Sequence, residues 1–358
     1  MATAEDVDDP DDGPDDTPVE DDTAPGSDRQ TTTSGDDRQS TPDDTDRHPP
    51  DEATRSPTDE QDRTTTRDSR QHETTTSEDD RYTRKQTVLI TGCSSGIGRA
   101  TAELFLENDW LVVATARNPD DIADLAEAGC ETLALDVTDP DQVARAVEET
   151  VEIGGAIDCL VNNAGYAQMG PIEDISTADL HRQFDVNVYG PHRLIHAALP
   201  HMRAQGDGCI VNVSTVAGRI ALPAMGAYSG SKHALEAMSD SLRAEVDEFG
   251  IDVVVIEPGP VESNFTDRVQ EELPESDRTP AYETLYEVVD DMQLLGGGQG
   301  GPFASTPEDV ATAILESATT PEPPARYPVG PLAQFGVYAR FLPDRLRDIA
   351  YGFVRRLV

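Results

Sequence analysis

Tyr228 and Lys232 stand four residues apart in Tyr-Ser-Gly-Ser-Lys, a spacing that on a helix puts both side chains on one face about a turn from each other. A phenol with an unperturbed pKa of about 10 is a poor proton acceptor near neutrality, and a nearby ammonium lowers that pKa by favouring phenolate. The pair could therefore work as a general acid and base, although the same spacing occurs on ordinary helices as unrelated surface residues. Composition adds weight, because of 27 basic residues only Lys85 and Lys232 are lysine, and arginine neither titrates readily nor serves as a compact ammonium. A second constellation lies upstream in Thr91-Gly-Cys-Ser-Ser-Gly-Ile-Gly98. Gly92, Gly96 and Gly98 let a backbone turn tightly and approach a pyrophosphate, whose charge would meet the free N–H groups of Ser94, Ser95 and a helix starting near Ile97. Taken alone, the same residues also describe a plain tight turn.

These residues need a frame. From Gln86 onward, short apolar runs alternate with longer segments of helical period, and the runs Thr87–Thr91, Trp110–Thr115, Thr132–Leu135, Ile157–Val161, Cys209–Val213 and Ile251–Ile256 are six strand candidates. Arg326–Gly330 is a candidate seventh. Asn118 with Pro119, and Thr306-Pro-Glu-Asp309, read as helix starts. Near-continuous apolar strands separated by helices describe a doubly wound α/β fold, a parallel sheet of about seven strands covered on both faces. In such folds ligands bind beyond the carboxyl ends of the strands, where the glycine run and the Tyr–Lys pair both fall.

The spacing Thr-Gly-x-x-x-Gly-Ile-Gly, followed in order by Asp136-Val137, Asn162-Asn163-Ala164-Gly165, Tyr228-x-x-x-Lys232 and Pro258-Gly259, resembles the short-chain dehydrogenase/reductase family over about residues 86–265. The resemblance implies a Rossmann-type domain and hydride transfer between a substrate and a nicotinamide nucleotide. In it Tyr228 moves the hydroxyl proton and Lys232 also binds the ribose. A substrate-binding hydroxyl thirteen residues before the tyrosine falls on Thr215, with Ser214 as the alternative; the family usually has serine there. Threonine offers the same hydroxyl on a stiffer carbon, and neighbouring strand residues point to opposite faces, so the two cannot serve interchangeably. Asn187 falls where the family holds a relay water linked to the lysine, or else is a satisfied asparagine in a bent helix. Asp136 and Val137 would flank the adenine, with Asp136 otherwise a cap or turn former. Asn163, Ala164, Gly165, Pro258, Gly259, Val261 and Ser263 complete the expected cofactor contacts.

An acidic residue at the end of the second strand would favour NAD, whereas here Ala116 is followed by Arg117, so NADP(H) is favoured over NAD(H) unless Arg117 is simply a solvated surface cation. The Thr306 helix, Arg326-Tyr327 and Glu257-Pro-Gly-Pro-Val261 are similar to the estradiol and retinol dehydrogenase branch, which implies a lipophilic alcohol or carbonyl substrate. The competing reading is a dinucleotide-binding sensor or scaffold without turnover. A sugar-nucleotide epimerase fits poorly, since that group typically spaces its glycines Gly-x-x-Gly-x-x-Gly.

The remaining segments bound the partners. The chain carries 70 acidic against 27 basic residues, a formal net charge of −43, which argues against charge-driven binding to nucleic acid or to an anionic membrane surface. Residues 1–85 hold almost no apolar side chains and read as a disordered acidic tail, leaving 86–358 as the catalytic domain. An acid-rich, lysine-poor surface is that of a protein adapted to molar salt, which predicts a melting temperature that rises between roughly 0.1 M and molar salt. No secretory signal or spanning segment is evident, four scattered cysteines suggest a reducing cytoplasm, and no metal-ligand spacing exists. Residues 265–325 include a glycine-rich stretch, Gly296–Gly301, that suits either a substrate lid or a linker. Residues 331–358, divided by Pro343, form basic amphipathic helices suited to packing on the domain, to a homo-oligomer contact or to a membrane surface.

Overall fold

Thr87–Ile90, Leu111–Ala116 and Glu131–Ala134 form strands β1, β2 and β3, and Cys159–Asn162, Gly208–Val213, Ile251–Pro258 and Arg326–Val329 form β4 to β7. Most are runs of Val, Ile, Leu and Thr, residues whose branching suits the pleated backbone. All seven pair in parallel in one sheet of order β3-β2-β1-β4-β5-β6-β7. The seventh strand is thus a member of the sheet, and each of the six expected runs lies on a strand whose ends differ by one or two residues.

Side chains alternate between two cores. Val88 and Ile90 face one, with Phe105 and Trp110, while Leu89 faces the other, with Leu160 and Ile210. The first core is closed by α1 (Gly96–Glu107), the second by α3 (Pro140–Gly154) and α5 (Gly190–Gln205), with α2 (Ala123–Ala128) and α4 (Thr177–Phe184) between strands. Helix α6 (Gly226–Val246) contributes Val246 to the second core, and α7 (Pro307–Thr319) contributes Val310 and Ile314 to the first. Expected helix starts are present: Asn118 accepts from the Asp120 N–H at 3.3 Å, and Thr306 and Asp309 cap one another reciprocally ahead of α7. After β7 come α8 (Pro331–Gly336), a 3-10 turn (Val337–Phe341) and, beyond Pro343, α9 (Asp344–Leu357).

This computed structural model describes residues 84–262, 278–287 and 304–357. The expected acidic tail to residue 83, Ser263 and the glycine-rich stretch at 296–301 lie outside the described residues. Among the described residues no helix is long and apolar enough to cross a membrane, and no group of three or more His, Cys, Asp or Glu could hold a metal ion.

Candidate active site

Chain order reverses between β1 and β4, and the crevice beyond their carboxyl ends is where a doubly wound sheet accepts a ligand. Two loops leave that point. Gly92 and Gly96, after β1, adopt φ of +74° and +58°, a region where a side chain is strained. A Cβ on Gly98 would stand 2.3 Å from the Gly92 carbonyl oxygen and 2.5 Å from Asn163 Nδ2, so the first turn of α1 can close on the loop only as glycine. The loop from β4 holds it in place. The Asn163 amide donates to the Thr91 and Gly92 carbonyls at 2.8 and 3.2 Å, and the Thr91 hydroxyl accepts from the Asn163 and Ala164 N–H groups at 3.0 and 2.9 Å. A helix N-terminus carries partial positive charge, and in this acid-rich chain the first turn of α1 contains no Asp or Glu. Gly96, Ile97 and Gly98, with Ser94 and Ser95 before them, thus form a tight backbone turn, or cradle, at a helix N-terminus whose polarity suits a phosphate-bearing group.

Arg117 follows β2 immediately and is exposed. Cys93, within the glycine loop, donates its N–H to the Thr115 carbonyl at 2.8 Å, which brings the end of β2 beside the cradle. Asp136 forms a turn: one carboxylate oxygen accepts from the Thr138 N–H and hydroxyl at 2.9 and 2.7 Å. Val137 is buried against Gly190, where a Cβ would stand 2.9 Å from Val137 Cγ2. Pro258 and Gly259 lie at the end of β6, and Val261 pairs with Ser305 as an isolated parallel bridge.

The acid/base candidates meet where β5 runs out. Tyr228, in the first turn of α6, hydrogen-bonds the side chain of Thr215. Thr215 also donates to the Pro258 carbonyl at 3.2 Å, which ties the ends of β5 and β6 to the tyrosine. Ser214 points elsewhere. Its hydroxyl is buried without a hydrogen-bond partner among the described residues, 2.5 Å from where a Gly218 Cβ would be, and that same Cβ would stand 3.3 Å from Lys232 Cβ and Glu236 Cγ on α6. Ala167 and Ala217 are buried with Tyr228, and Met169 and Met225 pack on them.

Burial pushes the Tyr228 phenol up to about 12, and the bond to Thr215 only partly offsets it. Lys232 is driven the other way, to about 8, by burial, with the Glu236 carboxylate acting against the fall. Its ammonium donates to the Val213 carbonyl at 2.8 Å. Burial is thus the larger influence on Tyr228, and Lys232 is not among the groups that shift it.

Asn187 lies in a π turn, Asp185–Tyr189, between α4 and α5. Its amide grips Tyr166 from both sides, accepting from the N–H at 3.1 Å and donating to the carbonyl at 2.9 Å, and also donates to Ser231 at 3.1 Å. Gly165 keeps a gap open beside it: a Cβ there would be 3.0 Å from Asn187 Oδ1 and 3.6 Å from Lys232 Nζ. Deeper in the sheet, Asn162 donates to Asn212 at 2.8 Å, Asn212 to Ser239 at 2.9 Å, and Ser239 to the Leu235 carbonyl at 2.7 Å.

Below Lys232 lies an ionic cluster that motif spacing does not reveal. Arg219, three residues after Val216, and Arg326, at the start of β7, both reach Glu257 at 3.1 Å, and Arg326 also reaches Glu236 at 3.1 Å and Asp240 at 2.7 Å. Burial and the neighbouring Glu236 carboxylate raise Glu257 to about 7 against the pull of the two arginines. Only the i, i+4 relation of Glu236 to Lys232 is visible locally.

The family described as short chain dehydrogenase matches residues 86–274. The uncharacterized oxidoreductase YbbO of Escherichia coli strain K12 is 36% identical over 267 residues, 74% of this chain and 93% of that protein. The NADPH-dependent 3-dehydrocapnine reductase of Ornithobacterium rhinotracheale is 33% identical over 75% of this chain and 98% of its own length. Among solved structures, a short-chain dehydrogenase from Streptomyces avermitilis superposes with a TM-score of 0.63 at 32% identity, covering 76% of this chain and 97% of that one. A short chain dehydrogenase/reductase from Burkholderia phymatum in complex with NAD gives 0.56 at 29% identity, covering 65% and 85%.

Proposed function

The chain belongs to the short chain dehydrogenase family and is an oxidoreductase of that family, and from that premise we propose that it interconverts a lipophilic alcohol with its ketone or aldehyde, using NADP(H). The observation that carries this reading is the Tyr228–Thr215 hydrogen bond beside an apolar wall of Ala167, Met169, Ala217 and Met225. A nicotinamide nucleotide bound in the crevice supplies or accepts the hydride. The loop Gly92 to Gly98 holds its phosphates through backbone N–H groups, with Asp136, Val137, Asn163, Ala164, Gly165, Pro258, Gly259 and Val261 around the rest. Arg117, an exposed cation beside the cradle with no ion pair among the described residues, supports a preference for a 2′-phosphate.

Thr215 orients the substrate oxygen while Tyr228 gives it a proton or removes one. A phenol held protonated at neutrality, as burial holds Tyr228, is ready to act as a donor toward a carbonyl. Lys232 serves the ribose and the proton path, and Asn187 fixes the Tyr166 backbone that borders the same gap. Ser214 and Asn162 support the frame. The four cysteines are buried and free, which supports a reducing cytoplasmic setting, and the surplus acid supports adaptation to high salt.

The test is oxidation of NADPH, followed by absorbance, with a panel of hydrophobic ketones and aldehydes. Wild type turns over at least one, NADH serves less well, and Tyr228→Phe lowers kcat by about a hundredfold or more. Nucleotide binding without any Tyr228-dependent turnover would instead support a sensor or scaffold.

A further inference from the structure

Apart from Arg219, every residue between Thr215 and Tyr228 is apolar or glycine. The two ends of this stretch supply the hydroxyl and the phenol that meet in the site, and Ala217 and Met225 within it border the phenol. It opens with a tight turn. Gly218 donates its N–H to the Thr215 carbonyl at 2.8 Å, and Arg219 donates its own to the Val216 carbonyl at 3.0 Å, so the arginine is fastened by its backbone to the turn that Thr215 begins.

The Arg219 side chain turns inward. Its guanidinium lies 3.1 Å from the Glu257 carboxylate on β6 and 3.5 Å from that of Glu236 on α6, and the three side chains are only 14, 3 and 6% exposed. Glu257 immediately precedes Pro258, whose carbonyl accepts the Thr215 hydroxyl at 3.2 Å. Glu236 follows Lys232, and Lys232 follows Tyr228, at the same four-residue step along α6. Two closed rings of contact result. One runs from Thr215 through its turn to Arg219, Glu257, Pro258 and back to the Thr215 hydroxyl. The other runs from Arg219 to Glu236 and along α6 to Tyr228 and its bond with Thr215. An ion pair so far from solvent is screened weakly, and a planar guanidinium between two carboxylates fixes orientation as well as distance.

We propose that Arg219 is a positioning residue for the proton-transfer pair: by bridging β6 and α6 it fixes the turn after β5 so that the Thr215 hydroxyl meets the Tyr228 phenol. The proposal rests on the assignment of Tyr228 and Thr215 to proton transfer. Arg326 is the natural contrast. It reaches the same two carboxylates, each at 3.1 Å, and Asp240 at 2.7 Å, but it does so from β7, which lies outside the turn. Loss of Arg219 therefore leaves neither carboxylate buried without a cation, the condition that makes breaking such pairs most costly. What it removes is the anchor of the turn.

The test compares Arg219→Met, Arg326→Met and Thr215→Ala in the full chain, isotopically labelled at the tyrosine Cζ, whose NMR resonance reports the hydrogen bonding of the phenol; Tyr228→Phe assigns the Tyr228 signal. Arg219→Met is expected to move that signal in the direction of Thr215→Ala and to lower kcat about tenfold or more, with KM for NADPH unchanged. Combined with Thr215→Ala it should add less than about twofold to the loss. Arg326→Met should cost at least as much in melting temperature, yet leave the signal in place and kcat within about twofold. An unmoved Tyr228 signal in Arg219→Met, or losses that multiply in the double variant, would overturn the proposal. If Arg219→Met does not fold, Arg219→Lys, which keeps the charge but loses the two-sided fork, takes its place in the same comparison. A moved signal in a protein that turns over no carbonyl would uphold the positioning and remove the reading of the reaction alone.

Discussion

Lys232 donates to the carbonyl oxygen of Val213 at 2.8 Å, so the helix that carries Tyr228 is tied by its own lysine to the strand that leads into Thr215. The tie holds an ammonium in a desolvated place, where its charged form is disfavoured and its pKa falls to about 8.

Replacing Lys232 by Met should therefore separate stability from activity. An amine whose folded value lies below its unfolded one is penalised wherever both forms are protonated. The penalty is full below about pH 8 and is lost as pH rises from there to the ordinary value of 10.5. Lys232→Met is expected to be more stable than wild type at pH 7, by roughly 3 kcal/mol at most, and to lose that advantage near pH 10.5, with turnover abolished throughout. Paired melts across pH check the sign.

The two adjacent hydroxyls should respond differently. Thr215→Ala removes the partner of Tyr228 and is expected to cost about a hundredfold in kcat, with Thr215→Ser restoring most of it. Ser214→Ala removes a buried hydroxyl that makes no hydrogen bond, so turnover should persist and stability should hold or rise by about 1 kcal/mol. Steady-state kinetics with NADPH decide the assignment; loss of turnover in Ser214→Ala alone would reverse it.

Arg117→Ala should raise KM for NADPH about tenfold or more, the worth of one charge-assisted hydrogen bond, and leave KM for NADH nearly unchanged. Similar effects on both nucleotides would remove the basis for a 2′-phosphate preference.

Glu257 titrates in the folded protein near 7 rather than 4.5. A carboxyl raised in this way lets the folded state hold a proton that the unfolded chain has released, so wild type loses stability as pH climbs from about 4.5 to 7. Glu257→Gln breaks the pairs with Arg219 and Arg326 by a constant amount but lacks that slope. The melting temperature of wild type relative to the variant should therefore fall across this interval, and a difference independent of pH would contradict the shared burial of Glu236 and Glu257.

Local pattern carried the sheet, the cradle and the Tyr–Lys pair, because period, glycine placement and four-residue spacing act over short stretches. It did not reach the cluster of Arg219, Glu236, Glu257 and Arg326. Each resembles a solvated surface charge in a chain full of them, and only the order β5-β6-β7 brings residues 107 positions apart to one carboxylate. Nor could spacing show that Lys232 faces Val213, since i, i+4 fixes a helix face and leaves the rotamer open. For Asn187 the sequence admits a satisfied asparagine in a bent helix, but nothing in Phe184-Asp-Val-Asn-Val fixes the bend as a π turn.

The row Asn162–Asn212–Ser239 has a further meaning. Apolar packing sets how far α6 stands from the sheet, but it is nearly indifferent to small slides along the helix axis. A hydrogen bond is not, because it weakens steeply with a few tenths of an ångström or a modest tilt. Two successive bonds, Asn162 to Asn212 from β4 to β5 and Asn212 to Ser239 from β5 into α6, act as a detent that indexes the helix along its own length. The position of the Tyr228 hydroxyl is thus calibrated from the middle of the sheet, a full turn and more away from any reacting atom.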